Sequence, residues 1–264
     1  MQAISLFSGI GGFEIAFYQV FGDSGKVIQF VEIDPDAQSV LRCLWRAQPS
    51  HFPNTPIHPD IRTYEPAASW NYKEGIVFGG FPCTDVSNAG KKDGIRGDES
   101  ILWFEMLRVI ATAKPRFILV ENPTGLVSRG LRAVLGGLRM AGYSTEVEII
   151  SAEEVGAPHK RERLFIVTYP NCWSQEKRQP ATWASQIGGE TAIARTNSRF
   201  PTVEQRDDGI AYGIPSGLDS VPVSVPTGIP GRIRSRYLYG RSVVPACAAV
   251  AFRRIKFLEE WRNG

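Results

Sequence analysis

Short apolar runs alternate with helix-like stretches over the first two thirds of the chain. Short apolar runs bounded by turn residues are typical of buried strands, and apolar positions three and four residues apart predict amphipathic helices. Strands that alternate with helices favour an α/β fold, in which helices cover both faces of a mostly parallel sheet. The pattern predicts strands at 3–7, 27–33, 76–78, 117–121, 146–150 and 163–169, and helices at 13–21, 35–46, 100–113, 130–141 and 243–261.

The alternation ends near Cys172. Residues 173–231 are rich in Gly, Pro, Ser, Thr and Gln, and they have few apolar runs. This composition fits either a disordered insert or a small irregular domain. Regular structure is expected to resume at 243. The chain is therefore expected to divide into parts at 1–172, 173–231 and 232–264. Four aromatic residues could supply the core of an irregular domain, namely Trp173, Trp183, Phe200 and Tyr212.

The composition is ordinary for a globular protein, with 43% hydrophobic and 22% charged residues. A net charge of +3 permits a polyanionic partner without requiring one. The four cysteines are widely spaced with no C-x-x-C pair, which argues for a reduced protein without disulfides or a zinc site. No signal peptide or transmembrane segment is predicted. A reduced, cytoplasmic location is therefore expected.

A single cysteine lies in the loop that follows the predicted strand 76–78. The loop sequence runs from Gly79 to Asp85, with Pro82 directly before Cys83. Proline fixes the local backbone, and the paired glycines allow close backbone approach. Chemistry gathers at the carboxyl ends of strands in α/β sheets, so Cys83 is a candidate nucleophile. A thiol packed as a small hydrophobe fits this segment equally well.

A glycine-rich turn, 6–13, joins the first predicted strand to the first helix. Such a turn lets the backbone approach a ligand and offers free amides, although the pattern is not G-x-G-x-x-G. Glu32 follows about 20 residues later, where a ribose diol is bound in such folds. Asp34 fits better as a helix N-terminal acid, and Asp60 follows a less clear third strand. Together these features favour an adenosine-containing cofactor, and the lack of a P-loop argues against ATP hydrolysis.

Two further charged sites come later in the chain. Glu121 ends a predicted buried strand, and its position should be near the end of the strand that precedes Cys83. A solvated strand-end acid is the alternative. Arg161 and Arg163 enter the last predicted strand at alternate positions, which points both side chains to the same face. An exposed basic hairpin is the alternative for this pair.

These segments together resemble the DNA (cytosine-5) methyltransferase family, whose motifs occur here in the same order. The compact length and the run 96–104 look most like phage-borne or prophage-type members. The segments that carry the resemblance are 6–13, Glu32, Asp60, 79–87, 121–123, 156–165 and 240–245.

The resemblance implies methyl transfer from S-adenosylmethionine to C5 of a cytosine in double-stranded DNA, with S-adenosylhomocysteine as product and no metal. The Cys83 thiolate would add to C6, because C5 alone is a poor nucleophile. Glu121 would protonate N3 and hold the exocyclic amine. Arg163 would bind O2 or support the cysteine loop, with Arg161 as a phosphate or loop contact. The target base would have to be flipped out of the duplex.

The resemblance also implies a cofactor pocket and a recognition domain. Glu32 would bind the ribose hydroxyls and Asp60 the adenine amine. Residues 173–231 would form a small target-recognition domain, and 232–264 would return to the catalytic domain. A monomer is the expected form, and restriction–modification is the setting that the resemblance implies. The implied cofactor residues are Phe7, Ser8, Gly9, Gly11, Gly12, Phe13, Glu32, Ile33, Asp60, Ile61, Gly80, Pro82, Ser242 and Val243. The implied DNA contacts are Ser87, Arg96, Arg232, Arg234, Arg236 and Arg241, for whose last four a solvated surface turn is the alternative.

Three positions depart from the family pattern. Pro123 stands where valine is usual, and His159 where glutamine is usual. Arg241 stands in Gly-Arg-Ser where the family has an asparagine that helps tie the recognition domain to the cofactor side. Two alternatives stay open. One is an RNA (tRNA) cytosine-5 methyltransferase, since one branch of the family acts on tRNA. The other is a catalytically weak DNA-binding relative, which the Gly-Arg-Ser departure and the short insert favour. A dehydrogenase is disfavoured, because the glycine pattern is wrong for one.

Overall fold

The computed structural model describes residues 1–47, 55–82, 102–174, 180–197 and 232–263. The strands are β1 Gln2–Leu6, β2 Lys26–Val31, β3 Ile57–His58, β4 Gly75–Gly79, β5 Phe117–Pro123, β6 Tyr143–Ser151 and β7 Glu162–Pro170. The helices are α1 Gly12–Phe21, α2 Pro35–Ala47, α3 Leu102–Ala113, α4 Leu126–Arg129, α5 Leu131–Met140, α6 Asn171–Ser174, α7 Trp183–Asn197, α8 Arg232–Arg241 and α9 Pro245–Asn263.

The strands form one mixed sheet in the order β3-β2-β1-β4-β5-β7-β6. Strands β1 to β5 run parallel, and β7 lies antiparallel between β5 and β6. The strand order reverses between β1 and β4, which opens a crevice at their carboxyl ends where ligands bind in such sheets. The register brings Leu6 beside Gly79, and Gly79 beside Val120. The segments that follow β1, β4 and β5 therefore start from one edge of the sheet.

Helices cover both faces of the sheet, so the predicted α/β fold is confirmed. On one face, the ring of Phe252 in α9 packs 5.5 Å from that of Phe17 in α1 and 5.2 Å from that of Phe78 in β4. On the other face, Trp103 and Met106 of α3 are fully buried against the sheet. Burying an apolar side chain of this size stabilises the fold by about 1.5–3 kcal/mol. The C-terminal helix is thus an integral part of the core beside the glycine-rich turn.

The structure differs from the sequence prediction in the segment expected to lack regular structure. Helix α7 lies within it, and helical structure resumes at α8 rather than at 243. Trp173 and Trp183 are buried in the same core as α9. Arg254 of α9 is fully buried and donates to both carboxylate oxygens of Glu146 at 2.7 Å, with Gln186 of α7 as a further acceptor. The described part of this segment therefore packs on the sheet and α9. Phe200 and Tyr212 lie outside the described residues.

The sequence prediction gave no definite position for the two-residue strand β3 and did not include the single-turn helix α4. Across the part of the chain that the structure describes, every helix is too short or too polar to cross a lipid bilayer.

Candidate active site

The glycine-rich turn after β1 has an unusual backbone. Phe7 has a φ of 53°, which is rare for a residue with a side chain and costs about 1–3 kcal/mol. Gly11, at the N-cap of α1, has a φ of 91° and offers no side-chain cap to the helix. The first amides of α1 are therefore presented to the crevice, as anion and cofactor sites at helix N-termini require.

Gly12 is where the C-terminal segment approaches this turn. A Cβ atom at Gly12 would lie 2.7 Å from the carbonyl oxygen of Val243 and 2.8 Å from Oγ of Ser242. Such distances are too short for a real side chain, so glycine is required for the contact. The structure therefore brings Ser242 and Val243 to the glycine-rich turn, more than 200 residues away in sequence.

Glu32, directly after β2, is anchored by backbone amides. Its Oε2 accepts a hydrogen bond from the Gly9 amide at 2.7 Å, and its Oε1 accepts one from the Asp34 amide at 2.8 Å. Burial raises the pKa of this carboxyl, while the amide hydrogen bonds oppose the rise. Each carboxylate oxygen has a second lone pair, so the group can still accept from a diol. The neighbouring Ile33 is 63% exposed, which leaves an apolar surface beside Glu32.

Asp60 follows β3 at the same edge of the sheet as Glu32. The two segments are adjacent there, because the Glu32 amide donates to the carbonyl oxygen of His58 at 3.0 Å. The Asp60 carboxylate accepts hydrogen bonds from the backbone and the side chain of Arg62, which lower its pKa. Asp60 would therefore have to share its oxygens between Arg62 and a ligand. Ile61, next to it, is buried.

The other predicted cofactor residues differ in what they present. The side chain of Phe13 packs in the core, 5.6 Å from the ring of Phe78, so only its backbone faces the turn. The Ser8 amide donates to the carbonyl oxygen of Val31 at 3.2 Å and ties the turn to β2. Pro82 is half-buried at the last described position of its loop.

Glu121 lies near the carboxyl end of β5 and forms a buried ion pair with Arg163 of β7. Its Oε1 lies 2.8 Å from Nε of Arg163, and the two side chains are 11% and 20% exposed. Burial raises the pKa of Glu121, and the charges of Arg163 and Arg161 oppose the rise. A Cβ atom at Gly80 would lie 2.7 Å from Oε2 of Glu121, so this carboxylate sits directly on the start of the cysteine loop.

Asn122 holds the start of the same loop through a hydrogen bond. Its Nδ2 donates to the carbonyl oxygen of Phe81 at 3.2 Å, and the residue is buried. Sequence reasoning gave Asn122 no function of its own, although an amide next to a strand-end acid was the available signal. Together, Glu121 and Asn122 connect the end of β5 to the loop that leads to Cys83. Cys83 itself, with Ser87 and Arg96, lies outside the described residues.

Arg161 contacts the C-terminal segment. Its Nη2 donates to the carbonyl oxygens of Gly240 at 2.8 Å and of Ser242 at 2.7 Å. Burial, followed by repulsion from Arg163, lowers its pKa to about 10, which leaves it charged at neutral pH.

The described arginines of α8 are engaged with protein groups. Arg234 pairs with Asp34 and, at 2.6 Å, with Asp36, and it lies over the ring of Tyr237. Arg241 bonds to the hydroxyl of Tyr237 and lies over the same ring. Arg232 and Arg236 are on the same helix, but their side chains are outside the described set.

Glu14 is a charged residue in the first turn of α1 that sequence reasoning missed. It is fully buried, and neither carboxylate oxygen has a well-formed hydrogen bond among the described residues. Burial raises its pKa to about 7, although the nearby Ser5 hydroxyl opposes the rise. An acid on an otherwise apolar helix face was the available signal in the sequence.

Comparison with known proteins assigns a family. The model of the family described as C-5 cytosine-specific DNA methylase matches residues 1–205. Type II methyltransferase M.NlaX of Neisseria lactamica is 33% identical over 204 residues, which are 76% of this chain and 60% of that protein. Type II methyltransferase M.HpaII of Haemophilus parainfluenzae is 33% identical over 172 residues, 63% of this chain and 45% of that protein. The chain spans about half the length of the curated relatives it matches.

Two solved structures share the fold over nearly the whole chain. DNMT2 of Spodoptera frugiperda superposes with a TM-score of 0.60 at 16% identity, covering 98% of this chain and 99% of that one. The methyltransferase EhMeth of Entamoeba histolytica gives a TM-score of 0.59 at 14% identity, covering 98% of each chain. Because the family model matches residues 1–205, the chain belongs to the C-5 cytosine-specific DNA methylase family.

Proposed function

We propose that the protein is a DNA (cytosine-5) methyltransferase that uses S-adenosylmethionine. The observation that carries the proposal is the register of β1, β4 and β5. It places the glycine-rich turn, the start of the Pro82-Cys83 loop and the Glu121–Arg163 pair along one edge of the sheet.

Cys83 is the proposed nucleophile. Its thiolate adds to C6 of the cytosine, which makes C5 an enamine carbon able to accept a methyl group. Loss of the C5 proton then expels the thiolate and restores the aromatic ring. Glu121 lies against Gly80, and Asn122 donates to the carbonyl oxygen of Phe81, so the residues that lead to the loop are tied to the end of β5.

Glu121 is the proposed acid at N3 of the cytosine. Burial favours the protonated form of this carboxyl, and a proton that it delivers to N3 would offset the negative charge that thiolate addition creates. Arg163 orients this carboxyl at 2.8 Å and is the proposed donor to O2. Arg161, beside this pair, is the proposed contact to a phosphate or to the cysteine loop.

The glycine-rich turn fits S-adenosylmethionine. The fit rests on the positive φ of Phe7 and Gly11, the uncapped start of α1, and the anchored carboxylate of Glu32 with free lone pairs. Glu32 would hold the ribose hydroxyls, Ile33 would cover the adenine, and Asp60 would take the adenine amine. When bound, S-adenosylmethionine supplies an electrophilic methyl group and leaves as S-adenosylhomocysteine.

Double-stranded DNA is the proposed partner. The target cytosine must leave the stack to reach the sheet edge, so base flipping is part of the proposal. Residues 173–231 are the proposed recognition domain, and the arginines of α8 are proposed phosphate contacts. Action as a monomer in the bacterial cytoplasm, within a restriction–modification system, completes the proposal.

The experiment that tests this proposal is methyl transfer from labelled S-adenosylmethionine. Purified protein is incubated with DNA of varied sequence, and 5-methylcytosine is mapped by bisulfite sequencing. We expect label in DNA and none in tRNA. Cys83→Ser should abolish transfer while S-adenosylhomocysteine still binds, and Cys172→Ser, at an exposed cysteine, should transfer normally. Folded protein that labels no DNA would contradict the proposal, and label in tRNA alone would move it to RNA.

A further inference from the structure

We propose that Arg161 is a positioning residue that holds the C-terminal segment 240–243 against the cofactor turn, in place of the asparagine that this chain lacks. This inference rests on the proposed function. It assigns Arg161 a role through protein carbonyls, instead of a contact with DNA phosphate.

The contacts of Arg161 reach two points of one short segment. Nη2 donates to the carbonyl oxygens of Gly240 and Ser242, at 2.8 Å and 2.7 Å. Both acceptors are backbone atoms, so the contact depends on the path of the segment and is independent of its side chains. The guanidinium is planar and permanently charged, which makes such partly buried hydrogen bonds stronger than neutral ones.

The segment that Arg161 holds forms a wall of the glycine-rich turn. Ser242 and Val243 fill the space where a side chain at Gly12 would stand, at 2.8 Å and 2.7 Å. Val243 is 5% exposed, and α9 begins two residues later. A shift of this segment would therefore move atoms that touch the first residue of α1, whose amides are proposed to face the cofactor.

Arg241 lies within this segment and contacts its own helix α8. Its described contacts are with the hydroxyl and the ring of Tyr237, on the same helix. The cross-connection to the segment comes from Arg161, which directly precedes β7 and lies two residues before Arg163. Residues at the start of β7 thus contact both sides of the crevice. Arg163 pairs with Glu121, and Arg161 binds the segment beside the cofactor turn.

The test measures cofactor binding separately from methyl transfer. Calorimetry with S-adenosylhomocysteine, without DNA, compares wild type, Arg161→Met, Arg161→Lys and the surface control Arg139→Met. Loss of two charge-assisted hydrogen bonds is expected to raise Kd about tenfold or more in Arg161→Met. Arg161→Lys, which keeps a charged donor, should lie between this variant and wild type. The KM for S-adenosylmethionine should rise in parallel, while the KM for DNA stays near wild type.

Three results would overturn the inference. They are unchanged Kd in both Arg161 variants, a fall in kcat with unchanged KM for the cofactor, and a loss of DNA affinity alone. If Arg161→Met does not fold, Arg161→Lys decides, with Gly12→Ala as a second disturbance of the same contact. The Lys and Ala changes combined should then weaken binding by less than the product of their separate effects, because both act through one segment. Wild-type protein that binds no S-adenosylhomocysteine would instead refute the proposed cofactor.

Discussion

The Glu121–Arg163 pair and the contacts of Arg234 with Asp34 and Asp36 lie on two sides of the same crevice, and they differ in burial. The side chains of the first pair are 11% and 20% exposed, whereas those of Arg234 and Asp36 are 43% and 57% exposed and only that of Asp34, at 18%, is comparably buried. A buried charge that loses its partner is costly, while an exposed pair is screened by water and salt. The first pair is therefore a fixed part of the site. The second can exchange its acidic partners for a phosphate, as the proposed DNA contact of Arg234 requires.

The largest difference between the two sides of the crevice is expected in the rate of catalysis. Glu121→Gln keeps the shape of the side chain but cannot deliver a proton to N3, so kcat should fall about 10²–10⁴-fold. Asp36→Asn removes one charge in the same way from the exposed side and should leave kcat near wild type. Single-turnover methyl transfer measures both. Equal activity of the two variants would remove the functional distinction between the two sides.

The next difference is expected in stability. Arg163→Met leaves the Glu121 carboxylate buried without its closest partner, and the free energy of unfolding should fall by about 3–5 kcal/mol at neutral pH. The loss should be smaller at acid pH. Without Arg163 the pKa of Glu121 rises further, so the folded state holds a proton that the unfolded state releases, and stability falls as pH rises. Urea unfolding at several pH values tests this, and a loss that is the same at every pH would contradict it.

Glu14 extends the comparison to a buried acid without an arginine. With a pKa of about 7, against 4.5 for the ordinary group, the folded protein keeps a proton that the unfolded chain has released. Stability should therefore fall as pH rises from about 4.5 to 7, by roughly 3 kcal/mol. Glu14→Gln cannot titrate, so its stability relative to wild type should rise by that amount over the same range. A difference between the two proteins that does not change with pH would show that Glu14 is ionised in the folded state.

The smallest effect is expected for Arg234. Arg234→Met should change the urea midpoint less than Arg163→Met does, and the change should shrink as salt is added, because both partners are exposed. If Arg234 also reaches DNA, the same variant should weaken DNA binding and lower its salt dependence. A large, salt-independent loss of stability would mean that the two sides of the crevice are equally rigid.

The α/β fold was predictable because the apolar runs and helix periodicities follow the observed elements within a few residues. Helix α7 was not predictable, since Gly188 and Gly189 lie within it and its apolar residues do not follow a single helical face. Its position depends instead on tertiary contacts such as that of Arg254 with Gln186, which joins residues 68 apart in sequence.

The candidate site, like the fold, was only partly predictable from the sequence. Glu32, Glu121, Arg161 and Arg163 could be named because strand ends position them. Their partners could not be named, because Arg161 meets Gly240 and Ser242 some 79 and 81 residues later, and Arg234 meets Asp34 some 200 residues earlier. A residue type at a strand end is a local property of the sequence, whereas a hydrogen-bond partner is a property of the folded chain.

The most direct test of the central proposal is a covalent trap at C5. DNA that contains 5-fluorocytosine is incubated with the protein and S-adenosylmethionine, since fluorine at C5 prevents the proton loss that releases the enzyme. We expect a protein–DNA complex that survives denaturation, with the base attached to Cys83 in mass spectrometry. The complex should form in Cys172→Ser and be absent in Cys83→Ser. No complex with DNA that the protein methylates in its unmodified form, or attachment at another residue, would contradict the proposed mechanism.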